Sequence, residues 1–193
     1  MLSLDEAVTN HSDFLILGIK PAVEKSYFEA MNFFFNFVEE TTGFKVVIAA
    51  HPRSNYESTP GVFGERAVIK GKTVELVAKS KMVIAHMSTS LSYAVLFKKP
   101  VLLVNIPGLQ ANSQLNLMVK TMGAAIGSEP IDLFRDQLVP SLLQRESHFE
   151  KYSAYEKRYV KTTGADELPV WEIVAKTVKQ MWPDKSSNTC ANL

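Results

Sequence analysis

The sequence predicts an α/β fold, a Rossmann-like parallel sheet with helices on both faces and a helical C-terminal extension. Three observations predict it. Short β-branched runs alternate with longer amphipathic ones, which is the pattern of strand–helix crossover units. The strand-like runs are apolar at every position, as expected where both faces of a sheet are covered. Finally, 193 residues of which 46% are hydrophobic can bury a sizeable core. Right-handed crossovers then place helices on both sides of the sheet.

Residues 1–12 are mixed and carry Asp5 and Glu6, so they do not read as a signal peptide. The first strand is expected at residues 14–19, an apolar run ended by Pro21. Val23, Tyr27, Met31, Phe34, Phe35 and Val38 recur in steps of three and four, predicting a helix with one buried face. Gly43 stands where a helix C-terminal glycine belongs. Strands follow at residues 46–50, 67–69, 82–85 and 101–104, with helices at 73–79 and 89–97 between them. The Rossmann-like domain is read as residues 12–130. Residues 131–182 are read as C-terminal helices: 131–145, divided or kinked by Pro140, then 146–160, and a last stripe of Val170, Ile173, Val174, Val178 and Met181. The polar tail 183–193 is expected to fray.

Bulk chemistry removes several function classes. With 21 basic and 20 acidic residues the net charge is +1, so there is no basic surplus for nucleic acid or anionic membrane. Cys190 is alone, which leaves no internal disulfide and no zinc set and points to a reducing cytosolic setting. No apolar run approaches the roughly 20 residues of a membrane span. The sequence His11, His86 and His148 shows no metal-ligand spacing, and no metal is expected. His86 reads as a core histidine, and Tyr152, Tyr155 and Tyr159 as one packed helix face.

In open parallel sheets, ligands bind beyond the carboxyl ends of the strands. Two polar clusters fall there. His51-Pro52-Arg53 follows the strand ending at Ala50, and Ser88-Thr89-Ser90 follows the strand ending at Ala85. Hydroxyls at a strand-to-helix turn cap the helix and can bond a phosphate. Capping accounts for one hydroxyl, whereas three in a row exceed what a cap needs. His51 titrates near neutrality, at about 6.5 unperturbed, and can bond a phosphate or protonate a leaving oxygen. Arg53 offers a bidentate fork; the bland alternative pairs it with Glu57 or Glu65. Lys70 and Gly71 also follow a short strand and are candidates for the pocket wall. Lys70-Gly71-Lys72-Thr73 ends like a P-loop, but Arg66 stands where the upstream glycine is required, so a triphosphatase is rejected. No G-x-G-x-x-G is present for a dinucleotide.

The order of these features resembles the C-terminal domain of GT-B-type enzymes of surface-polysaccharide synthesis. It runs apolar strand, His51-Pro52, the helix Glu75-Leu76-Val77-Ala78, the strand Met82-Val83-Ile84-Ala85, the serine turn and Leu96-Phe97-Lys98-Lys99-Pro100. Bacterial sialyl- and polysialyltransferases, Kdo-adding capsule enzymes and teichoic-acid glycerophosphotransferases share a His-Pro motif and a serine pair in this order. The resemblance covers residues 44–105. It implies one half of a GT-B fold and a nucleotide-sugar donor activated by CMP, CDP or UDP, with no other cofactor. It also implies a phosphate-contacting, leaving-group-protonating role for His51 and phosphate binding by Ser88 and Ser90, which are here separated by Thr89. The acceptor-binding N-terminal domain of those enzymes would have to come from elsewhere, as a missing domain or a partner chain. Two alternatives stay open. One is a sugar-nucleotide epimerase-like domain, disfavoured by Leu91-Ser92-Tyr93-Ala94 where those enzymes carry acidic residues. The other is a non-catalytic interaction module, such as a homodimer, with an exposed apolar patch. The expected location is cytoplasmic, at the inner face of the membrane if peripheral.

Overall fold

The computed structural model describes residues 1–144, 148–165 and 167–182; the tail at 183–193 lies outside the described residues. Six strands form one sheet: β1 (Leu2–Leu4), β2 (Val47–Ala50), β3 (Val68–Lys70), β4 (Val83–Ala85), β5 (Val101–Asn105) and β6 (Ile131–Asp132). They stand in the order β3-β2-β1-β4-β5-β6, and every neighbouring pair is parallel. This is the doubly wound order of a Rossmann-like fold. The chain builds outward from β1 to β3, then returns to lay β4 against the other side of β1. Connections therefore diverge between β1 and β4, and the crevice between them is the topological switch point.

Alternation along each strand feeds two separate cores. Ile48, Ile84, Leu102 and Val104 face α2 (Glu24–Thr42), meeting Met31, Phe34, Phe35 and Val38. Leu2, Leu4, Ala49, Val83, Ala85 and Leu103 face the other way. There they meet Val77 of α3 (Thr73–Lys79), Leu91, Ala94 and Val95 of α4 (Leu91–Leu96), and Tyr152 and Tyr155 of α7 (Phe149–Tyr155). Helices cover both faces, as the continuous apolar strands predict. Gly43 ends α2 in the left-handed conformation (φ 71°), its N–H donating to the Glu39 carbonyl.

The first element departs from expectation. The central strand β1 is Leu2–Leu4, ahead of the expected start at residue 12, and residues 14–19 are not a strand. Their first part forms the short helix α1 (Ser12–Ile16). Phe14 and Ile19 are buried, while Ile16 and Leu17 are 81% and 65% exposed. An inner parallel strand would have buried all of them. Three buried residues, Leu2, Ser3 and Leu4, suffice to bridge β2 and β4.

Residues 131–144 also differ from the helix expected there. Ile131 and Asp132 pair with Val104 and Asn105 as β6. The Asp132 carboxylate then accepts the backbone N–H of Phe134 and Arg135, a side-chain turn that competes with helix. Pro140, with no N–H to give, opens a 3-10 turn. Between β5 and β6 lie the short α5 (Pro107–Gln110) and α6 (Ser113–Ile126), the latter capped by the Asn112 side chain. Residues 156–160 continue α7 as a π-helical turn. The compact unit ends at Val160. A second unit from Lys161 carries α8 (Val170–Met181), whose Val170, Val174, Val178 and Met181 are exposed and whose Ile173 is half-buried.

Candidate functional site

A cleft of about 430 Å³ opens at the carboxyl ends of β1, β2 and β4, at the switch point. His51 and Pro52 form one wall, and Ser88, Thr89 and Ser90 another. The two clusters are far apart in sequence and share this cleft because β2 and β4 flank β1. The connection after β1 closes a third side with His11, Asp13, Phe14, Leu17 and Ile19.

Not every candidate reaches the cleft. Arg53 turns to the rim, where its Nη1 donates to Ser12 Oγ (2.5 Å) and Asp13 Oδ1 (3.1 Å). Its ion-pair partner is thus Asp13, rather than Glu57 or Glu65. Lys70 lines a neighbouring hollow of about 280 Å³ and donates from Nζ to the Ser54 carbonyl at 2.7 Å. Gly71 is exposed at φ 78°, a turn conformation outside the cleft lining.

The floor is made by Asp5 and Glu6, two consecutive carboxylates at the end of β1 that reach to opposite neighbours. Asp5 Oδ2 accepts the His51 N–H (2.9 Å), and Oδ1 accepts the Ala7 N–H (3.0 Å) and the Tyr56 hydroxyl (2.9 Å). Glu6 Oε1 accepts the N–H of His86 (2.7 Å) and Met87 (3.0 Å), and Oε2 accepts Met87 N–H again (2.9 Å). Each pins one wall of the cleft to the central strand. Burial pushes the Glu6 carboxyl above its ordinary value, with His86 and the amides pulling the other way. Burial and then the Asp5 charge likewise raise the Tyr56 phenol.

His86 is buried as a core histidine, 1% exposed. Its Nδ1 lies 2.5 Å from the Val104 carbonyl, which only accepts, so Nδ1 carries the proton. Nε2 is then the acceptor facing the Tyr27 hydroxyl at 3.4 Å.

His51 and His11 share one local geometry. Nδ1 of His51 accepts the Arg53 N–H, and Nδ1 of His11 accepts the Asp13 N–H, both at 3.2 Å. In the neutral ring the proton therefore sits on Nε2, leaving a donor. The two rings meet edge to face with centroids 4.9 Å apart. Burial first, then the His11 charge, lower the His51 pKa from 6.5; Asp5 pulls it up, Arg53 adds to the lowering, and Asp13 opposes it. The free protein thus holds His51 as a neutral donor.

Sequence reasoning missed three of these residues. Asp5 and Glu6 were masked by the brevity of β1; an acidic pair directly after an apolar triplet was the available signal. His11 has no signal of its own, since only the fold carries it to His51. Among the described residues no group of three or more His, Cys, Asp or Glu is placed to hold a metal ion. No described helix is long and apolar enough to cross a membrane.

The fold and the cleft define a Rossmann-like α/β domain with a ligand-sized crevice at its switch point. Neither the protein-family models nor the curated proteins compared with this chain give a match.

Proposed function

We propose that the cleft binds the nucleotide part of an activated sugar, as the donor half of a glycosyltransferase of surface-carbohydrate synthesis. The observation that carries this reading is the meeting of His51 and the hydroxyls of Ser88, Thr89 and Ser90 in one crevice. A phosphate seated there receives hydrogen bonds from His51 Nε2 and from the serine-turn hydroxyls. Its negative charge raises the His51 pKa, so the ring gains a proton as the donor binds and can pass it to the leaving phosphate oxygen. Acceptor binding and the general base come from a second domain or chain, working in the cytoplasm. The exposed Leu17 and Met118 at the cleft wall, with Ile16 and Leu117 beside them in sequence, offer an apolar rim where that half can close. The same rim favours a second reading, an interaction module, if nucleotides do not bind.

Titration with CMP, CDP and UDP, followed by backbone amide chemical shifts, tests the proposal. Binding at millimolar or better affinity is expected, with shifts at residues 51–54 and 86–90. His51→Ala should weaken binding about tenfold, the value of one hydrogen bond to a charged group, and leave the melting temperature unchanged at pH 8, above the window in which His51 titrates. Absence of any shift with all three nucleotides overturns the reading.

A further inference from the structure

The backbone amides at the β4–α4 turn are those an anion would seek, yet His86 and Met87 already donate theirs to the Glu6 carboxylate, at 2.7 to 3.0 Å. A second carboxylate, Asp5, stands beside it on the cleft floor, 6% exposed. No Lys or Arg side chain is among the described residues that line the cleft. The Arg53 guanidinium, two residues beyond His51, is paired with Asp13 at the rim. What remains for a ligand is a set of side-chain donors without a permanent positive charge: His11, His51 and the hydroxyls of Thr73, Ser88, Thr89 and Ser90.

We propose that Glu6 is a built-in anion that sets the charge the cleft accepts, making it a site for a single phosphate ester and turning diphosphates away. This rests on the nucleotide reading and narrows it to nucleoside monophosphates and their sugar esters. These donors can satisfy the oxygens of one phosphate. A second phosphate adds charge with no Lys or Arg side chain among the described lining residues to meet it, over a floor that already holds two carboxylates. The N–H donors on the Glu6 oxygens favour the ionised form that the proposal requires, against the burial that raises its pKa.

The test compares CMP, CDP, inorganic phosphate and pyrophosphate by calorimetric or chemical-shift titration at pH 8, for the unaltered chain and for Glu6→Gln. The substitution keeps side-chain length and one acceptor oxygen for the turn, and removes one charge. The unaltered chain should bind CMP more tightly than CDP, and phosphate more tightly than pyrophosphate. In Glu6→Gln all four should gain, by roughly three- to tenfold for each unit of ligand charge at low salt, so the gap between CMP and CDP narrows. CDP binding as tightly as CMP to the unaltered chain overturns the proposal, as does a folded Glu6→Gln with an unchanged ratio. If that variant fails to fold, the ratio in the unaltered chain decides alone. If phosphate exceeds pyrophosphate while the nucleotides bind no better than either ion, the charge rule stands and the nucleotide reading falls. If none of the four binds, both fall.

Discussion

Removing the Asp5 carboxylate should cost more stability than its single position suggests. Asp5→Ala strands three donors at once: the Ala7 N–H, the His51 N–H and the Tyr56 hydroxyl. The Ala7 amide is buried, and an unmet buried donor costs about 2 kcal/mol. The His51 amide and Tyr56 hydroxyl are part-buried and can find some water, so about 1 kcal/mol each is a fair share. Relief from holding a charge out of water offsets some of this. The net loss works out at about 2–4 kcal/mol, a large part of the roughly 5–15 kcal/mol that stabilises a typical domain. Urea denaturation should show a lower midpoint with an unchanged slope. Tyr56→Phe removes one of the three bonds, so the double variant should lose about 1 kcal/mol less than the sum of the singles. A loss below about 1 kcal/mol for Asp5→Ala, or strict additivity with Tyr56→Phe, would refute the assignment of Asp5 as the tie between β1 and the His51 loop.

Two further outcomes follow from named contacts. The His51 ring should titrate below 6.5 in the free protein, because burial and its cationic neighbours disfavour the charged form. The unfolded chain then binds more protons in the window just below 6.5, so stability should rise with pH across it and His51→Ala should flatten that slope; a ring that titrates above 6.5 contradicts the burial geometry. Gly123→Ala is a test of packing behind α6, since a Cβ there would lie 2.5 Å from the Ser128 carbonyl oxygen and 3.0 Å from Pro130 Cδ. The clash should outweigh the roughly 1 kcal/mol of helix propensity gained and lower the melting temperature; a rise in melting temperature would show that the segment 128–130 yields freely.

Much of the fold was legible because hydrophobic periodicity reports burial directly. The spacing from Tyr27 to Val38 is a helix face and nothing else, and Gly43 marks its end by its φ. The continuous runs at β2, β4 and β5 announce strands covered on both sides. What misled was length. The run at residues 14–19 has the composition of a strand, yet no place in the sheet is left for it once Leu2–Leu4 occupies the centre. Three residues are too few for a periodic signal. At 131–144, local chemistry at Asp132 and Pro140 overrode a helical apolar spacing.

The sequence by itself determined the alternation of strand and helix, the parallel sheet, and two polar loops at carboxyl ends of strands, because each is a property of short segments and of which faces they must bury. Only the tertiary structure decided which groups form the cleft and in what state. Strand order laid β1 between β2 and β4, brought His11 to within 4.9 Å of His51, and moved Arg53 out to Asp13. It also set Asp5 and Glu6 as the floor on which both walls hang. Those relations join residues up to 81 positions apart. Periodicity carries no information over that distance, because it records what a segment buries and not what it is buried against.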